Sequence, residues 1–454
     1  MQRDITIIGA GLTGLTIAHR LQQAGKKVAL VEKAPYAGGV IQTRLKNGFV
    51  YETGPNTGVL STPELVQLFD DLEGFCSLEK AHPKGKKRWI WKKGRWHALP
   101  SGLLSGVTTP LFTMKDKVRL LGEPFRKPGT DPDETLDRLV LRRMGKSFLD
   151  YAVDPFISGI YAGNPRTLVP RYALPKLYRL EQEYGSFIRG AVKKRKKPKS
   201  ELEKRATRDV FSVEGGLQRL VDAMVSAIGK VNIVTGCEET HIEKEGNRYR
   251  TVTRTDGSDR VIESGTVVTT TGSYTLRTLL PFVDPREWDA IENLHYAPIV
   301  MAAAGFNPWH GIQLDAFGGL IPTVEDRQSL GILFPSGIFR SRTPAGGALL
   351  SVFMGGMKRP GMIEKSNAEL EEIVINEIRQ TMGLRDPRPD LLEIYRYPHA
   401  IPQYESDSPR RLEAIDRIEK NHPGLYLAGN IRDGIGMADR VKQGFAIAES
   451  ITQA

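Results

Sequence analysis

A short apolar strand followed at once by three spaced glycines most restricts how this chain can fold. Residues 4–8 are typical of a buried parallel strand, and they lead directly into Gly9, Gly11 and Gly14. The first glycine allows a tight turn, the second lets the backbone approach a pyrophosphate, and the third lets a helix pack closely on the strand. The pattern therefore predicts a dinucleotide-binding unit whose helix, over residues 15–24, presents its N-terminus to the phosphates.

The next strand and the next glycines indicate which dinucleotide is bound. Residues 28–31 predict a second buried strand that ends at Glu32, about 20 residues beyond the glycines, where a carboxylate accepts hydrogen bonds from ribose hydroxyls. This favours NAD or FAD over NADP. Gly38, Gly39 and residues 54–57 then supply a second glycine-rich contact, which a dinucleotide with a flavin end needs and a nicotinamide enzyme does not. We therefore predict FAD.

The end of the chain repeats the order of strand, glycine and helix. Residues 425–428 predict a strand, Gly429 and Asn430 a tight exit, and residues 434–437 the approach to a helix over residues 438–451. A helix N-terminus beside the isoalloxazine ring would stabilise negative charge at its N1 and C2 carbonyl edge. The alternative is that these glycines only permit turns. We expect the tail to hold the second end of FAD.

The residues expected to contact FAD come from these segments and from one position after the later predicted strand over residues 231–235. They are Gly9, Ala10, Gly11, Leu12, Thr13, Gly14, Glu32, Lys33, Gly38, Gly39, Val40, Gly54, Pro55, Asn56, Thr57, Glu239, Gly429, Asn430, Gly434, Ile435, Gly436 and Met437.

Composition limits the class of protein and its surroundings. The chain has 454 residues, 40% of them hydrophobic and 26% charged, which is typical of a soluble protein of about two to three domains. Its net charge of +11 favours an anionic partner, either a membrane surface or a polycarboxylate ligand. Cys76 and Cys237 have no metal or redox spacing, and the histidines are scattered, so we expect a reducing compartment and no metal site.

The start of the chain and its hydropathy indicate location. The first predicted strand begins near residue 1, which leaves no room for a signal or transit peptide, and no window holds eighteen continuous apolar residues. We expect a cytoplasmic protein that is free or peripheral on the cytoplasmic face of a membrane.

The order of patterns predicts an α/β fold, α+β in part, with a discontinuous Rossmann-like domain. Residues 1–80, 205–290 and 400–454 form the expected FAD-binding domain. Residues 81–98, with a hairpin over 86–97, and residues 291–399 form a mixed-sheet substrate domain. Residues 99–204 are helical and proline-rich, and we expect them to be an insertion that contacts membrane or substrate.

Several segments resemble signatures of a known family. They are residues 52–56, 155–165, 179–182 with 185–186, 400–403 and 428–441. With these segments the chain resembles the oxygen-dependent protoporphyrinogen oxidases and coproporphyrinogen III oxidases of the flavin amine-oxidase superfamily over nearly its whole length.

The resemblance implies a cyclic tetrapyrrole substrate with propionate arms. It loses six hydrogens in three flavin cycles, and each cycle ends when molecular oxygen is reduced to hydrogen peroxide. Because a hydride passes from a methylene bridge to flavin N5, no catalytic side chain is expected, and the protein supplies orientation and electrostatics. Asn164 and residues 431–433 depart from the family pattern. Protoporphyrinogen IX and coproporphyrinogen III, which carries four propionates instead of two, both remain open as substrates.

The same resemblance implies roles for five residues. Arg88 corresponds to an arginine that pairs with a propionate, Leu320 and Leu333 to residues that sandwich a pyrrole ring, and Phe353 to a residue that stacks on another ring. Gly163 lies in a loop next to the reacting methylene, where a side chain would intrude. The alternatives are a solvated hairpin arginine, ordinary core packing and an ordinary turn glycine.

Two further segments indicate other partners. Residues 98–114 carry no charge, contain several large apolar side chains (Leu103, Leu104, Val107, Leu111 and Phe112) and precede Lys115, Lys117 and Arg119. This predicts either a face pressed into an anionic membrane or a helix over the substrate pocket. The basic run over residues 193–199 is typical of a solvated loop, and it lacks the interleaved aromatics of a nucleic-acid site. The expected partners are thus the tetrapyrrole, molecular oxygen, an anionic membrane and a second copy of the chain, with no nucleic acid.

Two other functions remain as alternatives. An amine oxidase or carotenoid-type desaturase has the same fold, and Tyr395, Tyr397 and Tyr404 could form an aromatic amine cage, although the neighbouring residues 400–403 argue against one. A flavin-containing porphyrin carrier would bind pigment but produce no peroxide.

Overall fold

The computed structural model describes residues 1–195 and 200–453. The strands in this part of the chain are β1 Ile5–Ile8, β2 Val28–Val31, β3 Thr43–Lys46, β4 Phe49–Glu52, β5 Gly58–Val59, β6 Leu78–Lys80, β7 Trp89–Lys92, β8 Arg95–Ala98, β9 Val210–Val213, β10 Ile233–Val234, β11 Glu238–Glu245, β12 Arg248–Thr255, β13 Ser258–Ser264, β14 Thr266–Thr269, β15 Tyr296–Phe306, β16 Gly318–Leu320, β17 Ser329–Leu333, β18 Ala348–Gly355, β19 Leu391–Pro402 and β20 Leu425–Leu427.

The helices are α1 Leu12–Gln23, α2 Pro63–Asp71, α3 Leu103–Thr108, α4 Met114–Leu121, α5 Leu136–Arg143, α6 Lys146–Phe148, α7 Asp154–Ile160, α8 Pro170–Ala173, α9 Pro175–Tyr184, α10 Phe187–Arg195, α11 Glu201–Arg205, α12 Gln218–Ile228, α13 Ser273–Leu279, α14 Pro285–Glu292, α15 Pro335–Ile338, α16 Asn367–Thr381, α17 Ser408–Asn421 and α18 Met437–Gln453. Among the described residues, none of these helices is both long and apolar enough to cross a membrane.

A five-stranded parallel sheet joins the two ends of the chain. Its order is β10-β2-β1-β14-β20, and β1, β2, β10, β14 and β20 are short apolar strands that the helices bury. Helices α1, α12 and α18 pack into one core, and α13, α14 and α17 pack into another with the same sheet. The sheet is therefore covered on both faces, and the predicted α/β class is confirmed.

Two predicted elements of this region have different bounds in the structure. Helix α1 starts at Leu12, three residues before the predicted start, because Gly11 already has extended backbone angles suited to a helix cap. Strand β10 covers only Ile233–Val234, since residues 230–232 form a 3₁₀ turn instead of the first part of the predicted strand.

A seven-stranded sheet forms the second layer. Its order is β19-β15-β18-β17-β16-β7-β8, antiparallel throughout except where β16 and β7 run parallel. The predicted hairpin is β7–β8, which turns at Lys93 and Gly94, both with positive φ. Helix α16 packs against one face through a core that includes Leu370 and Val374. On the opposite face, Met301, Ala303 and Leu349 pack in one core with Phe49 and Tyr51 of β4.

Helices α3–α11 follow β8 and precede β9 in the chain, and buried charges connect several of them. Arg143 is fully buried, and its guanidinium lies 2.5 Å from a Glu123 carboxylate oxygen and 2.6 Å from one of Glu181. Glu123 also accepts the backbone N–H groups of Phe187 and Ile188 at the start of α10. Because each buried charge has its partner, this polar cluster connects helices without leaving a charge unpaired.

The predicted membrane segment does not behave as a single exposed face. Leu111 and Phe112 are buried, and the Phe112 ring stacks on Phe148 at 4.0 Å, so these two residues belong to the helical core. Leu104 and Val107 are 80% and 62% exposed. Of the basic run over residues 193–199, residues 196–199 lie outside the described residues. The predicted domain boundaries stay a prediction.

Candidate functional site

The turn between β1 and α1 places its three glycines in different surroundings. A Cβ on Gly14 would lie 1.9 Å from the carbonyl oxygen of Gly9, and a Cβ on Gly9 would lie 2.6 Å from Thr270 Oγ1. A Cβ on Gly11 would meet no atom within 4 Å. Gly9 and Gly14 are therefore required by the packing of the protein, whereas Gly11 borders open space at the start of the helix.

The first turn of α1 and the end of β2 together form a site for a nucleotide. The amides of the first turn, at Leu12, Thr13 and Gly14, have no intrahelical acceptor, and a helix N-terminus attracts anions. Glu32, directly after β2, accepts the N–H of Ala10 at 2.7 Å and that of Ala34 at 2.8 Å. Each carboxylate oxygen retains lone pairs for ribose hydroxyls.

Two neighbours of Glu32 in the predicted set lie beside it at the same edge of the sheet. Lys33 follows it and is exposed. Glu239 comes two residues after Cys237, whose N–H donates to the carbonyl of Glu32 at 2.9 Å. Glu239 has a positive φ of 48°, and its carboxylate lies 2.8 Å from the guanidinium of Arg254. Both side chains of this ion pair are exposed, so the pair lies at the surface of the protein.

The second glycine-rich segment packs against the first. The N–H of Gly38 donates to the carbonyl of Ala10 at 2.8 Å, and a Cβ on Gly39 would lie 3.5 Å from the Cα of Gly11. A Cβ on Gly54 would lie 2.0 Å from the carbonyl oxygen of Val40. The backbone therefore passes the open face of α1 a second time, as a longer dinucleotide requires.

Residues 54–57 connect this segment to the seven-stranded sheet. The side-chain amide of Asn56 donates to the carbonyl of Gly54, and its Oδ1 accepts the hydroxyl of Ser351 on β18 at 2.6 Å. Pro55 and Thr57 flank Asn56 and are half-buried. The cofactor side and the second sheet thus meet at Ser351.

The tail brings its residues to the same edge of the parallel sheet. A Cβ on Gly429 would lie 2.8 Å from the carbonyl oxygen of Thr270, and the hydroxyl of Tyr404 contacts the backbone of Asn430 and Gly434. Ile435 packs into the core that contains Leu320. Every segment of the predicted cofactor set is therefore brought to the carboxyl ends of β1, β2, β14 and β20.

Asp439 alters the expected electrostatics of the tail. Its carboxylate accepts the N–H of Gly436 at 3.1 Å, just before α18 begins at Met437, and a Cβ on Gly434 would lie 2.6 Å from the same carboxylate. This negative charge offsets part of the positive end of the helix dipole that we expected to act on the flavin. The sequence pattern of glycines did not reveal this effect.

The residues present fit FAD. The open face at Gly11, the free amides of α1 and the carboxylate of Glu32 suit the pyrophosphate and ribose, and the glycines of the two later segments let the backbone approach a long ligand. These residues would hold the adenosine diphosphate half, and the tail would hold the flavin half.

Three of the predicted substrate residues share one face of the seven-stranded sheet. Leu320 lies opposite Gly331, and Gly331 lies opposite Phe353. Leu320, Gly331 and Phe353 therefore form a row across β16, β17 and β18. Leu333 is two residues after Gly331 and therefore points to the same face, opposite Ser351. The side chains of Leu320, Leu333 and Phe353 are only partly buried. A Cβ on Gly331 would lie 2.8 Å from the carbonyl oxygen of Gly319 and 3.2 Å from Cδ2 of Leu320, so the Leu320 side chain covers this glycine.

Arg88 lies at the end of this face. It precedes Ile90 by two residues, and Ile90 pairs with Leu320 in the parallel register of β7 and β16. Its guanidinium is 5.2 Å from the ring centre of Phe317, and burial lowers its pKa. In the part of the chain that the structure describes, Arg88 has no carboxylate partner within 4.0 Å. A half-buried, uncompensated guanidinium beside apolar groups suits a carboxylate ligand.

Gly163 is closely surrounded by protein atoms, and its expected place next to the substrate stays a prediction. A Cβ there would lie 2.5 Å from Oε1 of Gln403 and 2.9 Å from Cδ1 of Leu168. The side chain would therefore intrude on the protein itself. The loop still lies next to the substrate row, because Ala162 packs with Phe353.

The three tyrosines of the amine-cage alternative have separate partners. The hydroxyl of Tyr397 donates to the carbonyl of Thr53 at 2.8 Å, and that of Tyr395 lies 3.2 Å from the hydroxyl of Tyr51. Tyr404 is 4% exposed, and its hydroxyl is bound to the tail. Tyr404 is thus a support of the tail and does not line an open cage.

Two residues of the site were missed. Oγ1 of Thr270 lies 2.9 Å and 3.0 Å from the carbonyl oxygens of Ile8 and Gly9, and Oε1 of Gln443 accepts the N–H of Gly429 at 2.9 Å. Thr270 directly follows β14, an apolar strand of the parallel sheet, so its position at the carboxyl edge was a usable signal. Gln443 lies within a helix, and its sequence context offers no such signal.

Comparisons with known proteins find similarity over nearly the whole chain. The family model described as flavin containing amine oxidoreductase matches residues 12–452. The chain is 26% identical to protoporphyrinogen oxidase 2, chloroplastic/mitochondrial, of Arabidopsis thaliana, over 99% of this chain and 94% of the relative. It is 25% identical to coproporphyrinogen III oxidase of Bacillus subtilis (strain 168), over 99% and 98% of the two chains. A solved structure from Exiguobacterium sp. 255-15 has the same fold, with a TM-score of 0.81, 22% identity and 99% of each chain covered.

Proposed function

The chain belongs to the family of flavin-containing amine oxidoreductases, and on this premise we propose that it oxidises protoporphyrinogen IX to protoporphyrin IX, with molecular oxygen as acceptor and hydrogen peroxide as by-product. It is an oxidoreductase, and its cofactor is FAD. When bound, FAD supplies the acceptor for the hydrogens of the substrate. The similarity to relatives named for porphyrinogen oxidation supports a tetrapyrrole substrate.

The observation that carries the proposal is the combination of Arg88 with the apolar row on one sheet face. Arg88 pairs with a propionate, because its guanidinium is half-buried and has no carboxylate partner among the described residues. Leu320, Leu333 and Phe353 contact the faces of the pyrrole rings, and their register sets the plane in which the ring lies. The protein thus orients the macrocycle against the cofactor segment at Ser351 and Asn56.

Oxidation of coproporphyrinogen III to coproporphyrin III is the second candidate. The similarity to the Bacillus subtilis enzyme extends over 99% of this chain, and the net charge of +11 suits a substrate with four propionates as well as one with two. The same face and the same Arg88 would serve either ring.

Initial rates on the two porphyrinogens test the proposal. Purified holoenzyme is mixed with each substrate in oxygenated buffer, and porphyrin fluorescence and hydrogen peroxide are followed. We expect both signals, with protoporphyrinogen IX the faster substrate. A higher rate on coproporphyrinogen III would favour the second candidate, oxidation of coproporphyrinogen III, as the function. Bound pigment with no rate above the spontaneous one would instead indicate a carrier.

We also propose that the enzyme is peripheral on the cytoplasmic face of an anionic membrane. The support is a set of exposed apolar side chains on α3, on α4 and in the turn after α4, the α3–α4 face, which is defined by Leu104, Val107, Val118, Leu121 and Phe125, each at least 62% exposed. The ammonium group of Lys117 on α4 donates to the carbonyls of Val107 and Thr109, so α4 is linked to the C-terminal end of α3. Apolar groups next to cations suit a lipid interface. A homodimer stays a prediction, which sedimentation of the purified holoenzyme would test.

A further inference from the structure

The segment that follows β19 carries two buried side chains whose hydrogen bonds go in different directions. Gln403 and Tyr404 are 1% and 4% exposed. Tyr404 supports the tail and Gln403 lies against Gly163, as described above, but neither was expected to contact cofactor or substrate. The polar group of each side chain bonds to the backbone of a loop, and the two loops are different ones.

Gln403 holds the loop on the substrate side. Its Nε2 donates to the carbonyl of Tyr161 and to that of Ile401, both at 2.9 Å. The two carbonyls fix which end of the amide is the nitrogen, because a flipped amide would place its oxygen against two other oxygens. Oε1 then points toward Gly163, where a Cβ would lie at 2.5 Å, and it is buried without a hydrogen-bond donor among the described residues.

Tyr404 holds the loop on the cofactor side. Its hydroxyl oxygen lies 2.9 Å from the carbonyl oxygen of Asn430 and 3.0 Å from that of Gly434, and it accepts the N–H of Gly434 at 3.2 Å. Burial raises the pKa of Tyr404, so this hydroxyl keeps its proton at neutral pH. The guanidinium of Arg411 stacks on its ring and donates to the carbonyl of Ile431.

The backbone of the two residues is anchored as well. The N–H of Gln403 donates to the carbonyl of His295 at 2.8 Å, and the carbonyl of Tyr404 accepts the N–H of Val169 at 3.2 Å. The segment is thus tied to the seven-stranded sheet and to the helical region while its side chains reach the two loops. A rigid support of this kind is what a site needs to keep two reacting partners in register.

We propose that Gln403 and Tyr404 are a positioning pair, in which Gln403 places the Tyr161–Gly163 loop, Tyr404 places the Asn430–Gly434 loop, and their adjacency in the chain sets the distance between substrate and FAD. The inference rests on the proposed function for the identity of the substrate. It also explains why Gly163 is glycine, since the amide of Gln403 occupies the space of its side chain.

Three variants test the pair. Tyr404→Phe removes the hydroxyl, Gln403→Met removes the amide while keeping the length of the side chain, and the third variant carries both changes. Tyr249→Phe is the matched control, because the Tyr249 hydroxyl is likewise buried and contacts two backbone carbonyls, of His422 and Pro423, in a different sheet.

FAD binding to the apoprotein, followed by quenching of flavin fluorescence, isolates the cofactor half. Loss of a buried hydrogen bond that orders a binding loop predicts about tenfold weaker FAD binding for Tyr404→Phe, with a changed visible flavin spectrum. Gln403→Met and Tyr249→Phe should stay within about twofold of wild type. A Tyr404→Phe dissociation constant equal to that of wild type, or an equal rise in Tyr249→Phe, would overturn the role of Tyr404.

Steady-state oxidation of protoporphyrinogen IX at saturating FAD tests the substrate half and the pairing. Gln403→Met should lower kcat by about ten- to a hundredfold with little change in KM, because misplaced reacting groups slow the step itself. If the two residues maintain one alignment, their losses do not multiply. The kcat of the double variant should then be within about threefold of the kcat of the slower single variant. If the loss of kcat in the double variant equals the product of the two single losses, the residues act independently. The proposal that they form a positioning pair would then be wrong.

The two proposals fail in different ways. If the wild-type holoenzyme oxidises no porphyrinogen, the proposed function fails, and the FAD titrations alone decide about Tyr404. If wild type is active but Gln403→Met retains the wild-type kcat, the proposed function stands and the pair is overturned.

Discussion

Gly11 and Gly14 belong to one motif, but we expect Gly11 to matter for FAD binding and Gly14 for the stability of the apoprotein. Because a Cβ on Gly11 meets no protein atom and its φ is −72°, Gly11→Ala should leave the stability of the apoprotein within about 0.5 kcal/mol of wild type while weakening FAD binding. Gly14→Ala places a methyl group 1.9 Å from a backbone oxygen and should cost the apoprotein about 1–3 kcal/mol or more. Urea unfolding of the apoproteins and FAD titration separate the two effects. Equal stability losses would contradict this reading.

Arg88 is the residue on which recognition of the substrate depends. Arg88→Met should raise KM for protoporphyrinogen IX about 10- to 100-fold, because a charge-assisted hydrogen bond to a propionate is lost. FAD affinity should not change. Arg95→Met is the control, since Arg95 lies in the same hairpin, has the same charge and is exposed. Steady-state kinetics of both variants decide the matter, and a KM for Arg88→Met equal to that of the control would exclude Arg88 from the substrate site.

At the scale of elements, Glu52 connects β4 to the start of α12. Its carboxylate accepts the N–H of Leu217 and the hydroxyl of Thr43, and the guanidinium of Arg342 lies 3.5 Å away. Burial outweighs these contacts and raises the pKa of Glu52 to about 6, from an ordinary value of 4.5. Folding therefore favours the protonated form, and the stability that this contributes is complete below pH 4.5 and is lost as pH rises through 6.

Glu52→Gln removes this titration. Relative to wild type, the variant should gain about 2 kcal/mol in its free energy of unfolding between pH 4.5 and pH 7, at 1.36 kcal/mol per pKa unit. Urea unfolding at saturating FAD across this range measures the difference. Parallel pH profiles of the two proteins would show that Glu52 has the same pKa in the folded and unfolded states.

Elements that depend on local sequence could be predicted, and those that depend on distant partners could not. The glycine turn after β1 and the capping box at Ser366 and Glu369 that begins α16 are local, so sequence predicts their places well. The row of Leu320, Gly331 and Phe353 depends on the register of three strands, and no local pattern encodes it. The resemblance supplied the residues of that row, and the structure supplied their common face.

Contacts between residues that are distant in sequence could not be predicted either. Leu111 and Phe112 belong to a segment for which both a membrane face and a packed helix were open, and they lie in one core with Phe148, which is distant in sequence. Gln403 read only as part of a signature, and its contact with Tyr161 joins residues 242 positions apart. Hydrophobic pattern gives the amount of apolar surface but does not say which distant surface covers it.

At the scale of the whole molecule, the α3–α4 face should direct the enzyme to lipid. In sedimentation with phosphatidylglycerol vesicles, Leu104→Glu combined with Phe125→Glu should reduce partitioning at least about tenfold, because two charges enter the apolar side of the interface. Leu45→Glu combined with Val231→Glu is the control, since Leu45 and Val231 are similarly exposed, at 75% and 77%, on other surfaces. If both double variants lose vesicle binding equally, the binding depends on the net charge of the protein and not on the α3–α4 face.

The cofactor segments and the seven-stranded sheet are joined where Asn56 accepts the hydroxyl of Ser351, on the strand that also carries Phe353. In this account the face with Arg88 selects a tetrapyrrole, while the parallel sheet binds FAD. Anaerobic mixing of the holoenzyme with protoporphyrinogen IX or with putrescine, followed by flavin absorbance, tests that claim most directly. We expect protoporphyrinogen IX to bleach the flavin and putrescine to leave it oxidised. Bleaching by putrescine but not by protoporphyrinogen IX, nor by coproporphyrinogen III mixed in the same way, would exclude a tetrapyrrole substrate.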